Sequence, residues 1–500
     1  MSPVPIRAIV GRFAFAFSRE ALERVLRAYP FEFCADISTG EFPPFSGMPV
    51  EHQERFASSE VRNAHYMGVD WNQIAPIDEE LVMQMRECES VFMAVASRLE
   101  SKKNISYLTR KLWYLRHLQF WNDYLTRQRI NLYLAAWIPH EIPDIIIYHL
   151  CRLRGIPVLY FDVTVLRDVS LIGHDVRHAA VQLGQRYQEL MTHYVGRDPR
   201  EIPLGEPFAS YEKELITSVG QPPALEAVWF PAHWKQLMEL LFHRPIAFLK
   251  HALHFGTPAG WMRAWGAGRR RHILRRMERF YAAHASSPDL AQPFVYFPSH
   301  YQPEASSVPM GGVFADQILV ARLLNAVLPK DVLIYVKEHP RMSGRTSRSI
   351  EYYKEFLELS KVRLLSRDAD TFALREHCRA VVTITGSAGF EALFRMKPVF
   401  LFGSCYYQYA RGVFPIRSLQ DCRAAVQAVF ERGEAPTLQS THVFLEAMEE
   451  TCVAGVSCPW YMQISHQSPD VHAKIMGDAI VEELAKMQEE IARVATPFLS

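Results

Sequence analysis

Three short stretches of the chain hold residue types that can do chemistry together. In Lys337-Glu338-His339-Pro340 a cation, an acid and an imidazole follow an apolar run and stop at a proline. Lysine and histidine side by side can contact a phosphate, and the proline fixes the loop that carries them. Alone, the same residues also read as a solvated strand exit. In Thr385-Gly386-Ser387 small residues let backbone approach a ligand, and two hydroxyls stand beside it. A helix opening there offers unpaired N–H groups and the positive end of its dipole. Glu391 falls about one turn into that helix, where a carboxylate can accept hydrogen bonds from a sugar diol. An ordinary capped helix, with Ser387 as the N-cap and Glu391 as its capping partner, fits the same residues. The turn has neither the GxxxxGK[ST] nor the GxGxxG spacing. The third stretch, 297–312, is polar, carries prolines and ends in Gly311-Gly312, with His300, Gln302 and Glu304 placed to overhang a cleft.

Each stretch follows an apolar run short enough to be a buried strand. The runs 294–298, 331–340, 362–366, 380–385 and 398–403 alternate with helical periodicity over 316–328, 349–360 and 371–377. Such alternation predicts a parallel sheet covered by helices, with ligands at the carboxyl ends of the strands. All three stretches lie at such ends. An earlier unit repeats the pattern: a strand over 130–137, a helix over 142–154 closed by Gly155, and a strand over 156–162. Its strand ends carry His140, Glu141 and Asp162. The fold class expected is α/β, with two Rossmann-like domains facing a cleft. The first spans 1–288 with helical insertions, the second 289–465, and a helix over 466–500 packs back on the first. The polar, proline-bearing stretch 283–293 reads as the linker. Near the N-terminus, Ile6 onward is expected to be an edge strand, 18–29 a serine-capped helix, and 78–130 two long helices.

Residues 240–283 differ in character. Arg269, Arg270, Arg271, Arg275 and Arg276 cluster with Trp261, Trp265, Phe248 and Phe255. A solvated helix face explains the charge; a surface resting on anionic lipid through 263–279 explains both charge and tryptophans.

The bulk numbers agree with a globular protein. Of 500 residues 49% are apolar and 22% charged, and the net charge of +1 points to no nucleic-acid partner. Eight scattered cysteines show no zinc spacing and suit a reduced cytoplasm. The first residues lack a signal-peptide core, and no run of about 18 apolar residues occurs. The expected location is cytoplasmic, with peripheral contact at the inner membrane.

In order and spacing, Gln302-Pro303-Glu304, Lys337-Glu338-His339-Pro340, Thr385-Gly386-Ser387 with Glu391-Ala392, Lys397-Pro398-Val399 and Phe402-Gly403 resemble the bacterial capsule polysaccharide biosynthesis family, which includes Kdo-transferase-like glycosyltransferases. The resemblance covers Phe294 to Gly403 and is weaker in the first unit. It implies a GT-B glycosyltransferase that uses a nucleotide-activated sugar, of the CMP-sugar kind such as CMP-Kdo. It also implies that Lys337 and His339 contact the donor phosphate, and that Thr385, Gly386 and Ser387 hold it from the helix start. Glu391 would bind the ribose, and Gln302 and Glu304 would line the pocket. The donor is a substrate; no separate cofactor and no metal are expected. The acceptor is expected to be a glycan or a lipid-linked glycan. Glu141, with His140 beside it, is the candidate base across the cleft, and Asp162 and Asp168 are alternatives. A nucleotide-sugar epimerase of the same shape and a non-catalytic scaffold of an envelope assembly complex are the competing readings.

Overall fold

The computed structural model describes residues 4–40, 42–97, 105–217, 258–302, 304–342 and 348–495. Two six-stranded sheets organise them. The first contains β1 (Ile6–Gly11), β2 (Phe31–Ser38), β3 (Gln53–Ala57), β4 (Leu132–Ala135), β5 (Val158–Val163) and β6 (Ser170–Gly173). The second contains β7 (Phe294–Pro298), β8 (Leu333–Lys337), β9 (Val362–Leu365), β10 (Ala380–Thr383), β11 (Val399–Leu401) and β12 (Val413–Pro415). The orders are β3-β2-β1-β4-β5-β6 and β12-β11-β10-β7-β8-β9. In both sheets the chain starts in the middle, steps to one edge, then returns to fill the other side. The second sheet is parallel throughout. The first is parallel except for β6, which runs antiparallel to β5. The fold is thus α/β, with two Rossmann-like sheets of the GT-B type. The strand order reverses between β1 and β4 and between β7 and β10. A crevice opens at such a switch point, beyond the carboxyl ends of the strands.

The central strands are nearly continuous apolar runs because helices cover both faces. Ile6, Ala8, Ile9 and Val10 are fully buried, as are Val295 to Phe297 apart from a trace at Tyr296. Ile6–Gly11 is therefore the centre of its sheet and not the edge that its position near the N-terminus suggested. The helix that follows runs Ala16–Ala28 with Phe15 as N-cap. Ser18, expected to cap it, sits inside and bonds back to the Phe15 carbonyl at 3.0 Å. Among the described residues of 78–130 there are three helices where two long ones were expected: Glu79–Gln84, Arg86–Ala96 and Tyr107–Arg127. Strands β2, β3, β6 and β12 escaped the sequence reading. The last two are only 4 and 3 residues long, too short for a period to show.

Helix Pro469–Lys486 lies against helix Ala16–Ala28. Its Met476, Ile480 and Leu484 join Leu22, Val25 and Leu26 in one apolar cluster under the first sheet. Gly477 permits the close approach: a Cβ there would stand 3.2 Å from the Ala21 carbonyl oxygen. The stretch 166–208 packs the other way. Leu183, Tyr187 and Leu190 share a cluster with Phe444, Leu445 and Met448 and with the second sheet. The stretch 283–293, expected to be the linker, is tied down as well, since Ser286 bonds to Leu364 at 2.9 Å and to Ser366 at 3.0 Å beside β9. The loop after β7 reaches across to the first unit, where Val308 sits in the cluster of Ile138, Ile142 and Tyr160.

Candidate functional site

The three chemistry-bearing stretches meet at the carboxyl edge of the second sheet, because β7, β8 and β10 are neighbours in it. His300 forms the seam at the switch point. It is buried, and its Nε2 accepts from the Ile384 backbone N–H at 3.1 Å and lies 3.0 Å from the Thr383 hydroxyl. Burial, with the charges of His339 and Arg348 nearby, pushes its pKa down to about 3. His300 is a neutral bolt between the β7 and β10 exits, not a group overhanging open space.

Lys337 ends β8 with its side chain buried, and it donates to the Thr371 hydroxyl at 2.7 Å. His339 is half-buried, with its ring 5.8 Å from that of Tyr301. Between them, Glu338 is the hub of a buried charge cluster. One of its oxygens accepts from Arg348 at 3.2 Å and from the Tyr353 hydroxyl. The other accepts from Arg367 Nε at 3.0 Å and from a second nitrogen of the same guanidinium. Arg348 then grips the β7 exit, donating to the Ser299 hydroxyl at 3.1 Å and to the His300 carbonyl at 2.6 Å. Two strand exits are thus held in fixed relation by charge-assisted hydrogen bonds.

The third stretch differs from a plain capped helix. The helix is Ser387–Leu393, its N-cap is Gly386, and no side chain caps it. Ser387 is exposed at its first position. Glu391 pairs with Arg375 of helix Thr371–His377 and does not reach back to the cap. The turn is shaped by its neighbours: Thr385 donates to the Ser306 carbonyl at 2.6 Å, Gly386 N–H to the Thr383 hydroxyl at 3.0 Å, and Tyr407 to the Gly386 carbonyl at 2.6 Å. Gly403 must lack a side chain, since a Cβ would come within 2.7 Å of the Ile384 carbonyl oxygen. Gln302 donates to the Ala315 carbonyl, and Glu304 accepts from the Ser306 hydroxyl at 3.3 Å. Pro303 lies outside the described residues.

The first unit presents its own switch point. Arg12 leaves β1 in a left-handed backbone conformation, φ 71°. Its guanidinium meets Glu141 at 3.3 Å and Asp144 at 3.0 Å. Arg62 holds the other oxygen of Glu141 at 3.2 Å. Both oxygens of Glu141 are therefore occupied by guanidiniums. His140 donates from Nδ1 to the Ile138 carbonyl at 2.8 Å. Asp162 is different. It ends β5 almost fully buried, and burial pushes its pKa up to about 7, opposed by the Val163 backbone. It bears electrostatically on Cys405 and Tyr461, and Glu304 bears on the same Tyr461. One carboxylate from each unit thus acts electrostatically on the same tyrosine. Asp168 serves elsewhere: it accepts from the His466 backbone at 3.2 Å and stands 3.5 Å from His472.

Sequence reasoning missed the partners of Glu338. Arg348 and Arg367 lie 10 and 29 residues away, and no spacing rule links them to it. The available signal was an acid inside a strand exit, which when buried must find cations. Among the described residues, no group of three or more His, Cys, Asp or Glu is placed to hold a metal ion.

Among solved structures, the chain is similar to two of KpsC from Thermosulfurimonas dismutans. One, described as a beta Kdo 2,4 transferase, is 12% identical over 63% of this chain and 79% of that chain, with a TM-score of 0.28. The other, a beta Kdo 2,7 transferase, is 13% identical over 69% and 98%, with a TM-score of 0.26. A UDP-GlcNAc 2-epimerase from Methanocaldococcus jannaschii is 8% identical over 89% and 100%, with a TM-score of 0.26. No curated protein matches the chain. Residues 305–435 match the model of a family described as capsule polysaccharide biosynthesis protein. That segment runs from the loop after β7, through the exits of β8 and β10, past β12, so the second-sheet site is built largely on the part of the chain that matches the model of that family.

Proposed function

We propose that the protein transfers a sugar from a nucleotide-activated donor, of the CMP-sugar kind, to a glycan or lipid-linked acceptor during assembly of a capsule or surface polysaccharide. The observation that carries this is the convergence of the β7, β8 and β10 exits at the switch point of the second sheet, with the β8 and β10 exits inside the segment that matches the family. Lys337 and His339 face the donor phosphate from the β8 exit. Thr385, Gly386 and Ser387 receive it from the turn, Glu391 takes the ribose, and Gln302 and Glu304 line the pocket.

In the reaction the acceptor oxygen attacks the anomeric carbon, and the bond from that carbon to the donor phosphate breaks. The nucleotide leaves with the electron pair, and Lys337, His339 and backbone N–H groups stabilise its charge without a metal. The acceptor proton passes to a carboxylate of the first unit. Asp162 suits that task, because a base works best when its pKa lies near the working pH. Glu141, held by Arg12 and Arg62, is a positioning group beside His140. The test is calorimetry with CMP and CMP-sugars. Saturable binding is expected, weakened at least about tenfold, or roughly 1.4 kcal/mol, by His339→Ala. Absence of binding to CMP, CDP, UDP and GDP alike would remove the donor site.

The same reading places the protein against a membrane without crossing it. No described helix is long and apolar enough to span a bilayer. Helix Pro258–His284 carries Arg263, Arg269, Arg270, Arg271, Arg275, Arg276 and Arg279 against the single acid Glu278. Trp265 is 74% exposed on it and Ile273 42%. Each basic residue near an anionic surface contributes about 1 kcal/mol. Co-sedimentation with phosphatidylglycerol-containing vesicles is expected to fall sharply when Arg269, Arg270 and Arg271 become glutamine, and also with added salt. Binding that ignores both changes would count against this contact. Phe248, Phe255 and the Trp261 side chain lie outside the described residues.

A further inference from the structure

Helix Pro258–His284 spans about 40 Å, and it is rooted in the donor site. Trp265, Arg269 to Ile273, Arg275 and Arg276 are exposed, whereas Met277 and Tyr281 are buried, Tyr281 in the apolar cluster of the second sheet. The root reaches the β8 exit by two routes. Glu278 pairs with Arg367, and Arg367 donates to the Glu338 carboxylate at 3.0 Å. The hydroxyl of Tyr281 accepts from the Glu338 backbone N–H at 3.3 Å and donates to the Leu365 carbonyl at 2.7 Å. The Arg367 guanidinium lies 4.2 Å over the Tyr281 ring and joins the two routes. Glu338 is thus held through both its side chain and its backbone by one turn of this helix, and it sits between Lys337 and His339.

We propose that the helix is a lever on the donor site: an anionic bilayer bound to its arginine face sets, through Glu278, Tyr281 and Arg367, the pose of Lys337 and His339, so that bilayer and donor nucleotide bind cooperatively. The proposal rests on the donor-site reading above. Glu278 and Arg367 are positioning residues, acting on the ligand through Glu338. A hydrogen-bonded helix is stiff, so a tilt imposed on its exposed turns arrives at its root. By linkage, whatever the bilayer does for the nucleotide, the nucleotide does for the bilayer.

The experiment uses the full chain, CMP as probe, and phosphatidylcholine vesicles with or without phosphatidylglycerol. The CMP dissociation constant is expected to fall at least about fivefold with the anionic vesicles and to stay put with the neutral ones. Deuterium uptake of residues 333–342 is expected to fall on anionic vesicles even without CMP. Glu278→Gln is expected to sediment with vesicles as the parent does yet show neither effect, while Glu278→Asp, which keeps the charge, retains both. Arg367→Lys, a cation that cannot bridge two carboxylates, serves if Glu278→Gln misfolds and is expected to lose both effects. A CMP constant that is measurable and unchanged by anionic vesicles overturns the lever, as does unchanged exchange, failure to sediment or a Glu278→Gln protein that responds like the parent. If CMP fails to bind but exchange still falls, the lever stands and the donor reading alone is lost.

Discussion

Asp162→Asn is expected to slow sugar transfer about 10²–10⁴-fold, the loss typical of a removed general base, and at the same time to raise the melting temperature at pH 8. The pairing of the two effects is the signature. Burial pushes the Asp162 pKa up to about 7, above the roughly 3.9 of an exposed aspartate. The folded state therefore holds this proton more tightly than the unfolded chain. Stability from Asp162 is full below about pH 4 and is lost as pH rises through about 7, where a buried charge must form. Asparagine never ionises, so its advantage over the parent grows across that interval and reaches a few kcal/mol at most. Turnover of the parent has the opposite slope: kcat/KM rises through about pH 7 as the base form appears. Melting curves at pH 5 and pH 8, with initial rates over the same range, check both. A variant that keeps its rate, or that is equally destabilised at both pH values, would exclude Asp162 as the base.

Glu338→Gln is expected to cost about 3–5 kcal/mol, the range seen when one partner of a buried ion pair is removed. The side chains of Glu338 and Arg348 are 2% and 3% exposed. Glutamine has nearly the same volume, so little of the loss comes from packing. What remains is a guanidinium facing a neutral amide, with no water to replace the carboxylate. Urea denaturation at pH 7 measures it as a shift in midpoint. The damage extends beyond stability, because Arg348 is the clasp on Ser299 and His300. Nucleotide affinity is expected to fall with it, although Glu338 itself is assigned no contact with the ligand. A loss below about 1 kcal/mol would mean that the cluster is solvated like a surface pair.

Apart from β12, the second sheet was legible in the sequence because its strands are buried and read as clean apolar runs between helices. The stretches that matter were legible for the same reason, since each follows such a run. In the first sheet β4 and β5 were legible, and β1 was read as a strand but placed at the edge. β2 carries Glu32 and Asp36 within an apolar run, and β3 is a short edge, Gln-Glu-Arg-Phe-Ala. The buried Asp36 survives there because Arg19, 17 residues away, pairs with it at 3.0 Å. Pattern reading cannot find that kind of compensation, because the paired residues meet only through the fold. The same limit hid Arg348 and Arg367 behind Glu338, and Arg12 and Arg62 behind Glu141. Chemistry-bearing residues announced themselves by type and spacing; the residues that neutralise and aim them did not.

The packing of helix Pro469–Lys486 on helix Ala16–Ala28 bears on the order of synthesis. The apolar face under the first sheet is completed by Met476, Ile480 and Leu484, more than 440 residues after the strand that opens it. During translation the first sheet emerges before the second yet lacks one wall of its core until residues 476–484 have left the ribosome. Such long-range closure is slow, and it leaves apolar surface exposed in the meantime. The second sheet lies within a compact stretch of sequence and needs no such wait. The nascent protein is therefore expected to assemble its second-sheet half first, with chaperone demand falling on the half that was synthesised earlier.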